Sequence, residues 1–180
     1  MNRIVPCTTN ADCVSNSCTV PDLSGSHNLV VGTGNTATSF AGLIAGGGNR
    51  VTAPFASVTG GINNTASGAF ASVTGGGENT ASGQVASVTG GGGNTANGVV
   101  ASVSGGGFNV ASGLGSSVSG GDSNTASGTF NSSVSGGFGN EASGSNATVS
   151  GGRNNQAGGD FSVVVGGNGN STTTADAIVP

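Results

Sequence analysis

The chain has 180 residues, 38 of them glycine, with a net charge of −4, neither Trp nor Tyr, and only 6% charged residues, against roughly 25% in an average soluble domain. Its three basic residues, Arg3, Arg50 and Arg153, cannot track a phosphate backbone, since each neutralised phosphate needs a Lys or Arg, and no apolar run approaches the roughly 20 residues of a membrane span. Neither nucleic acid nor a membrane span is expected, and the regular placement of Val and Ala argues against a disordered polar linker.

Residues 1–25 come first and stand apart from the rest. They hold all three cysteines, Cys7, Cys13 and Cys18, and are expected to form a small cap or tail in which two cysteines pair in an oxidising compartment and the third remains for an intermolecular bond or a free thiol. A zinc site completed by His27, the single histidine, is disfavoured because the cysteine spacing is irregular and the usual Cys-x-x-Cys arms are incomplete. No metal is expected.

From residue 26 to residue 170 the chain is a repeat. Between Ala41 and Phe161 the form small-Ser-Val-(Ser/Thr)-Gly-Gly-x-x-Asn-x-Ala-Ser-Gly-x-x recurs at a period of fifteen residues, with a single sixteen-residue copy in which Asn131 breaks the count. Asparagine recurs at Asn64, Asn79, Asn94, Asn109, Asn124, Asn140 and Asn155, with further copies at Asn49 and Asn170. A branched apolar residue recurs at Leu43, Val58, Val73, Val88, Val103, Val118, Val134, Val149 and Val164. Residues 171–180 then read as a C-terminal tail.

Fifteen residues are too few for paired helices and suit two short strands joined by two tight turns. In one coil Ser57, Val58 and Thr59 alternate out, in, out, and Asn64, Thr65, Ala66 and Ser67 alternate in, out, in, out. Gly60 and Gly61 are expected to take positive φ at a corner, where glycine carries no Cβ penalty. Stacked in parallel at about 4.8 Å per rung, about ten such coils make an all-β rod. Its interior admits only small residues, and the inward asparagines form a structural ladder that satisfies buried polar groups. The corner residues Phe55, Phe70, Phe130 and Phe161, replaced by Val85 and Val100, are expected to plug the coil edge.

The alternation of Ser-Val-Ser-Gly-Gly with Asn-Thr-Ala-Ser-Gly over Ser116 to Gly128 resembles the head repeats of trimeric autotransporter adhesins. The Asn-x-(Val/Ala)-x-Gly half, as in Asn28 to Gly32 and Asn64 to Gly68, is similar to grass ice-binding proteins. Both resemblances imply a left-handed parallel β-roll. Where the adhesin heads carry a second apolar residue for trimerisation, this chain has Thr59, Thr74, Thr89, Ser104, Ser119, Ser135 and Ser150, and the adhesin anchor, neck and stalk have no counterpart in it.

Little in the chain points to catalysis. Seven carboxylates, Asp12, Asp22, Glu78, Asp122, Glu141, Asp160 and Asp176, are dispersed, and His27 has no nucleophile in a recognisable motif, so neither enzymatic activity nor a cofactor is expected. Calcium rolls need an acidic residue each turn, and the Gly-Gly pairs lack the lysine and helix of a phosphate loop. The informative surface is the outward side of the Val strand: Ser57, Thr59, Ser72, Thr74, Ser87, Thr89, Ser102, Ser104, Ser117, Ser119, Ser133, Ser135, Thr148 and Ser150 are all hydroxyl residues. That face is the expected binding face. It fits an extracellular or cell-surface structural or adhesive module whose partner is a further copy of itself or an extended surface such as matrix; an ice-binding face and an inert spacer rod are the alternatives.

Overall fold

The computed structural model describes residues 27–180. The N-terminal segment with Cys7, Cys13 and Cys18 lies outside the described residues. From His27 onward the chain is a parallel β-solenoid with no helix, winding through two facing sheets of eleven and ten strands. At about 4.8 Å per strand the eleven-stranded sheet is about 48 Å long.

The larger sheet is built from the Ser–Val strands and the smaller from the Thr–Ala strands, each two residues long in the regular coils. Every strand pairs with its equivalent one coil away, Ser57 with Ser72 and Val58 with Val73 in one sheet, Thr65 with Thr80 and Ala66 with Ala81 in the other. Strands this short hold together because each is bonded on both sides by identical neighbours, so cooperativity runs along the stack and not along the chain. The roll extends past Asn170: Ser171–Thr172 and Ile178–Val179 add a strand to each sheet.

The alternation read from the sequence holds. From Ala37 to Val164, Val58, Ala66 and their equivalents are fully buried in one continuous core, flanked by Ala56, Ala71, Ala86, Ala101 and Ala147. Where serine replaces this last alanine the hydroxyl is satisfied inside its own coil, Ser116 Oγ donating to Gly113 O at 2.9 Å and Ser162 Oγ to Gly159 O at 2.6 Å.

Leu43 is a correction. It pairs with Ser57 and faces outward, while Ile44 pairs with Val58 and is fully buried. The first two coils carry one residue fewer at the glycine corner, five residues separating Ile44 from Asn49 where six separate Val58 from Asn64, so counting back from Asn49 by the regular spacing lands one residue early. A second correction concerns the sixteen-residue coil. Asn131 does not break the column: its N–H donates to Leu114 O, as Gly115 N–H does to Val99 O. Phe130 bridges to Leu114, which leaves Thr129 as the additional residue.

The corners rest on left-handed backbone. Gly61 has φ 84°, whereas Gly60 is not in the positive-φ region. A Cβ on Gly61 would overlap Gly76 O of the next coil, and one on Gly68 would overlap Gly83 O, so both positions are closed to side chains by the approach of the neighbouring rung.

Candidate functional site

Each ladder asparagine saturates its amide. Asn64 Oδ1 accepts the Asn79 N–H at 2.9 Å, and Asn64 Nδ2 donates to Gly60 O of its own coil at 3.2 Å and to Gly76 O of the next at 3.0 Å. The same three bonds recur at Asn79, Asn94, Asn109, Asn124, Asn140 and Asn155, all buried. The ladder joins the glycine corner to the Thr–Ala sheet and leaves no amide free for a ligand; among the described residues no buried side-chain polar atom lacks a partner.

The fourteen hydroxyl residues expected as a face form one on the larger sheet. They stand in two columns, Ser57 to Thr148 half-buried and Thr59 to Ser150 exposed, in unbroken register over seven rungs. Within a strand the columns are about 6.7 Å apart and successive rungs about 4.8 Å, which makes a two-dimensional array of hydroxyls about 30 Å long. Three of its hydroxyls make two bonds along the rod: Thr59 Oγ1 donates to Thr74 O at 2.9 Å, and Ser133 Oγ lies 3.2 Å from Thr148 Oγ1. No charged residue stands in either column.

Two features of this surface are not apparent from the repeat alone. The hydroxyl array is bounded at both ends by apolar rungs, Leu29 and Val31 before it and Val163 and Val165 after it, on the same columns. The signal lies in the outward parity of Leu29 and Val31 around the inward Val30. The second feature is the corner ridge. Phe55, Phe70, Val85, Val100, Phe130 and Phe161 do not plug the coil: each is about half exposed. Apart from Phe130, which sits one position earlier in the corner, they hold left-handed φ between 57° and 61°, which turns Cβ away from an interior already filled by Val and Ala. Phe55 and Phe70 stack at 5.0 Å, and Phe40 meets Phe55 edge-on at 5.2 Å.

The Thr–Ala sheet is a poorer face, its outward column interrupted by Arg50, Val110, Glu141 and Gln156. Arg153 lies on the other edge, over the Phe138 ring at 5.5 Å. Among the described residues no group of three His, Cys, Asp or Glu side chains converges, and no helix is long and apolar enough to cross a membrane. No protein-family model matches the chain, and no curated protein sequence does either.

Proposed function

We propose that this chain is a non-enzymatic structural or adhesive module of the cell exterior, a rod that works by presenting its hydroxyl face to an extended surface or to further copies of itself. The observation that carries this reading is the in-register array from Ser57 to Ser150, fourteen small neutral donors and acceptors in two columns without a charge. Taken alone the array covers about 200 Å² on strand and rung spacings. A stable discrete protein interface needs roughly 800 Å² per partner, so such a face suits contact summed over many copies. The resemblance to adhesin head repeats, with its left-handed β-roll, favours the same reading.

The array also supports a second reading, ice binding, because its spacing is regular in two directions and methyl groups accompany the hydroxyls at Thr59, Thr74 and Thr89. Beyond Thr89 the exposed column turns to serine and those methyls are lost. Cryo-electron microscopy of the purified protein over a concentration series tests the first reading. Fibres or oligomers with the hydroxyl face in their contacts are expected; dispersed rods at every concentration, together with measurable thermal hysteresis, would overturn it in favour of ice.

A further inference from the structure

Along the edge of the rod where the Thr–Ala strands turn back into the Ser–Val strands, two columns of corner residues run side by side. A continuous ladder joins them: Phe55 N–H donates to Phe40 O, Phe70 N–H to Pro54 O, Val85 N–H to Ala69 O and Asn131 N–H to Leu114 O. One column carries Phe40, Val99, Leu114 and Phe130, the other Phe55, Phe70, Val85 and Val100, and each of these side chains is 43–55% exposed. The strip spans six rung spacings, about 29 Å, and from Phe40 to Asn146 neither column holds a charge. Beyond Phe130 the corner turns polar with Ser145 and Asn146, and Phe161 follows as a separate ring beside Asp160. Val85 and Val100 stand at φ 59° and 58°, where a β-branched residue is a genuine outlier; bulky residues kept at such a cost point to a use for their side chains.

Half-exposed, these four aromatic and four aliphatic side chains present on the order of 700 Å² of surface. That exceeds the roughly 300–600 Å² of a typical monomer's largest apolar patch and approaches the roughly 800 Å² that each partner gives to a stable interface, with Pro54, Ala69 and Gln84 in the same strip to add to it. Bulk along the strip is balanced about Val85, three coils from Phe40 on one side and three from Phe130 on the other. A copy laid antiparallel with its two-fold axis at Val85 sets Phe40 against Phe130, Phe55 against Leu114 and Phe70 against Val100, and brings the two Gln84 amides together. A parallel copy would instead set Phe55 and Phe70 against themselves at one end and Gly115 against itself near the other, holding the rods apart. We propose that this ridge is an isologous interface on which a second copy of the chain packs antiparallel about Val85. The two-fold then runs along the sheet normal, so both hydroxyl faces turn to the same side; the interface does not depend on those faces being the working surface.

Sedimentation equilibrium of the full chain over a concentration series tests this. A species of twice the 16.6 kDa chain mass is expected to form reversibly. Val85→Asp should keep the fold, because Asp176 already holds the same corner position at φ 58°, while its carboxylate would face its own copy across the two-fold and weaken the dimer by roughly tenfold or more. Thr95→Glu makes the same charge change on the Thr–Ala sheet, in the column where Glu141 stands, and should leave the dimer unchanged. Orientation is read from a pair: Phe70→Asp should weaken the dimer and added Val100→Arg restore it, since these positions face each other only in the antiparallel arrangement. Monomer at every concentration would overturn the interface, as would a dimer indifferent to Val85→Asp or equally sensitive to Thr95→Glu, and a pair worse than Phe70→Asp alone would overturn the antiparallel packing. Thr74→Tyr separates this interface from the hydroxyl face: a dimer lost in that variant and kept in Val85→Asp belongs to the face and not to the ridge.

Discussion

Asn79 binds three coils together: its Oδ1 accepts the Asn94 N–H at 3.0 Å, and its Nδ2 donates to Gly75 O and Gly91 O, both at 3.0 Å, while its own N–H donates to Asn64 Oδ1. Replacing it with alanine strands the buried Asn94 N–H and the half-buried Gly75 O, each costing roughly 1–3 kcal/mol when unpaired, whereas Gly91 O still accepts the Gly77 N–H. Asn79→Ala is expected to lose about 3–5 kcal/mol, read as a large fall in melting temperature by far-ultraviolet circular dichroism. A fall of only a degree or two would mean that water replaces the amide.

Asn79→Asp separates the two halves of that bonding. The carboxylate retains the acceptor for Asn94 N–H but brings charge against Gly75 O and Gly91 O in a fully buried site, so its pKa in the folded state is expected to rise above the roughly 3.9 of the unfolded chain. A raised folded pKa means that the variant is least impaired below about pH 4, where the acid can donate to one of the carbonyls. It loses stability relative to the wild type as pH rises through that value. Melting the two proteins side by side at pH 3.5 and pH 7 checks the sign; a deficit that shrinks toward pH 7 would contradict it.

Glycines in one coil are expected to behave oppositely. A Cβ on Gly83 would overlap Gly98 O, whereas one on Gly90 meets nothing within 4 Å. Gly83→Ala forces two rungs apart and should cost at least the 1–3 kcal/mol of an overpacked core. Gly90→Ala should be neutral or stabilising by about 0.4–1 kcal/mol, because it reduces the freedom of the unfolded chain. Chemical denaturation of both variants decides the matter, and equal destabilisation would show that corner glycines act through flexibility and not through clearance.

The two-sheet coil, its inward Val and Ala, and the asparagine ladder are all legible in the sequence, because each follows from a residue type recurring at one parity in a fixed period. The features that are not legible arise where the period is broken. Leu43 reads as inward because the short glycine corner before Asn49 changes the count by one without changing the residue types. The corner phenylalanines read as interior because burial is the usual fate of aromatics. The left-handed backbone that turns Phe55, Phe70 and Phe161 outward is not encoded by any residue preference: Phe70, Val85, Asn146 and Asp176 all adopt it with φ between 58° and 61°. Stacking against neighbouring coils fixes that conformation, and local propensity does not.

This corner makes a reciprocal test. Val85, β-branched at φ 59°, and Asn146, at φ 58°, occupy the same place in different coils. Asparagine tolerates left-handed backbone and valine does not. Val85→Asn is expected to stabilise the roll by about 1 kcal/mol, and Asn146→Val to destabilise it by a similar amount, both read from melting temperature. If both substitutions destabilise, the side chains at this ridge contribute packing that outweighs the backbone cost.

The boundary of the hydroxyl face can be moved. Thr148 pairs with Val163 on the next rung, and Val165 stands 54% exposed at the following outward position. Val163→Thr with Val165→Thr extends both columns by one rung without touching the buried Val164, so the circular dichroism and melting temperature should stay near wild type. Thr74→Tyr or Thr89→Tyr, in the middle of the array, should likewise leave the fold intact while raising one bulky ring above an otherwise level surface. If the face is the working surface, the extended variant gains and the tyrosine variants lose the same activity, whether it is scored as assembly by light scattering or as thermal hysteresis. A tyrosine variant with undiminished activity in both assays would remove the hydroxyl face from the function and leave the rod as a spacer.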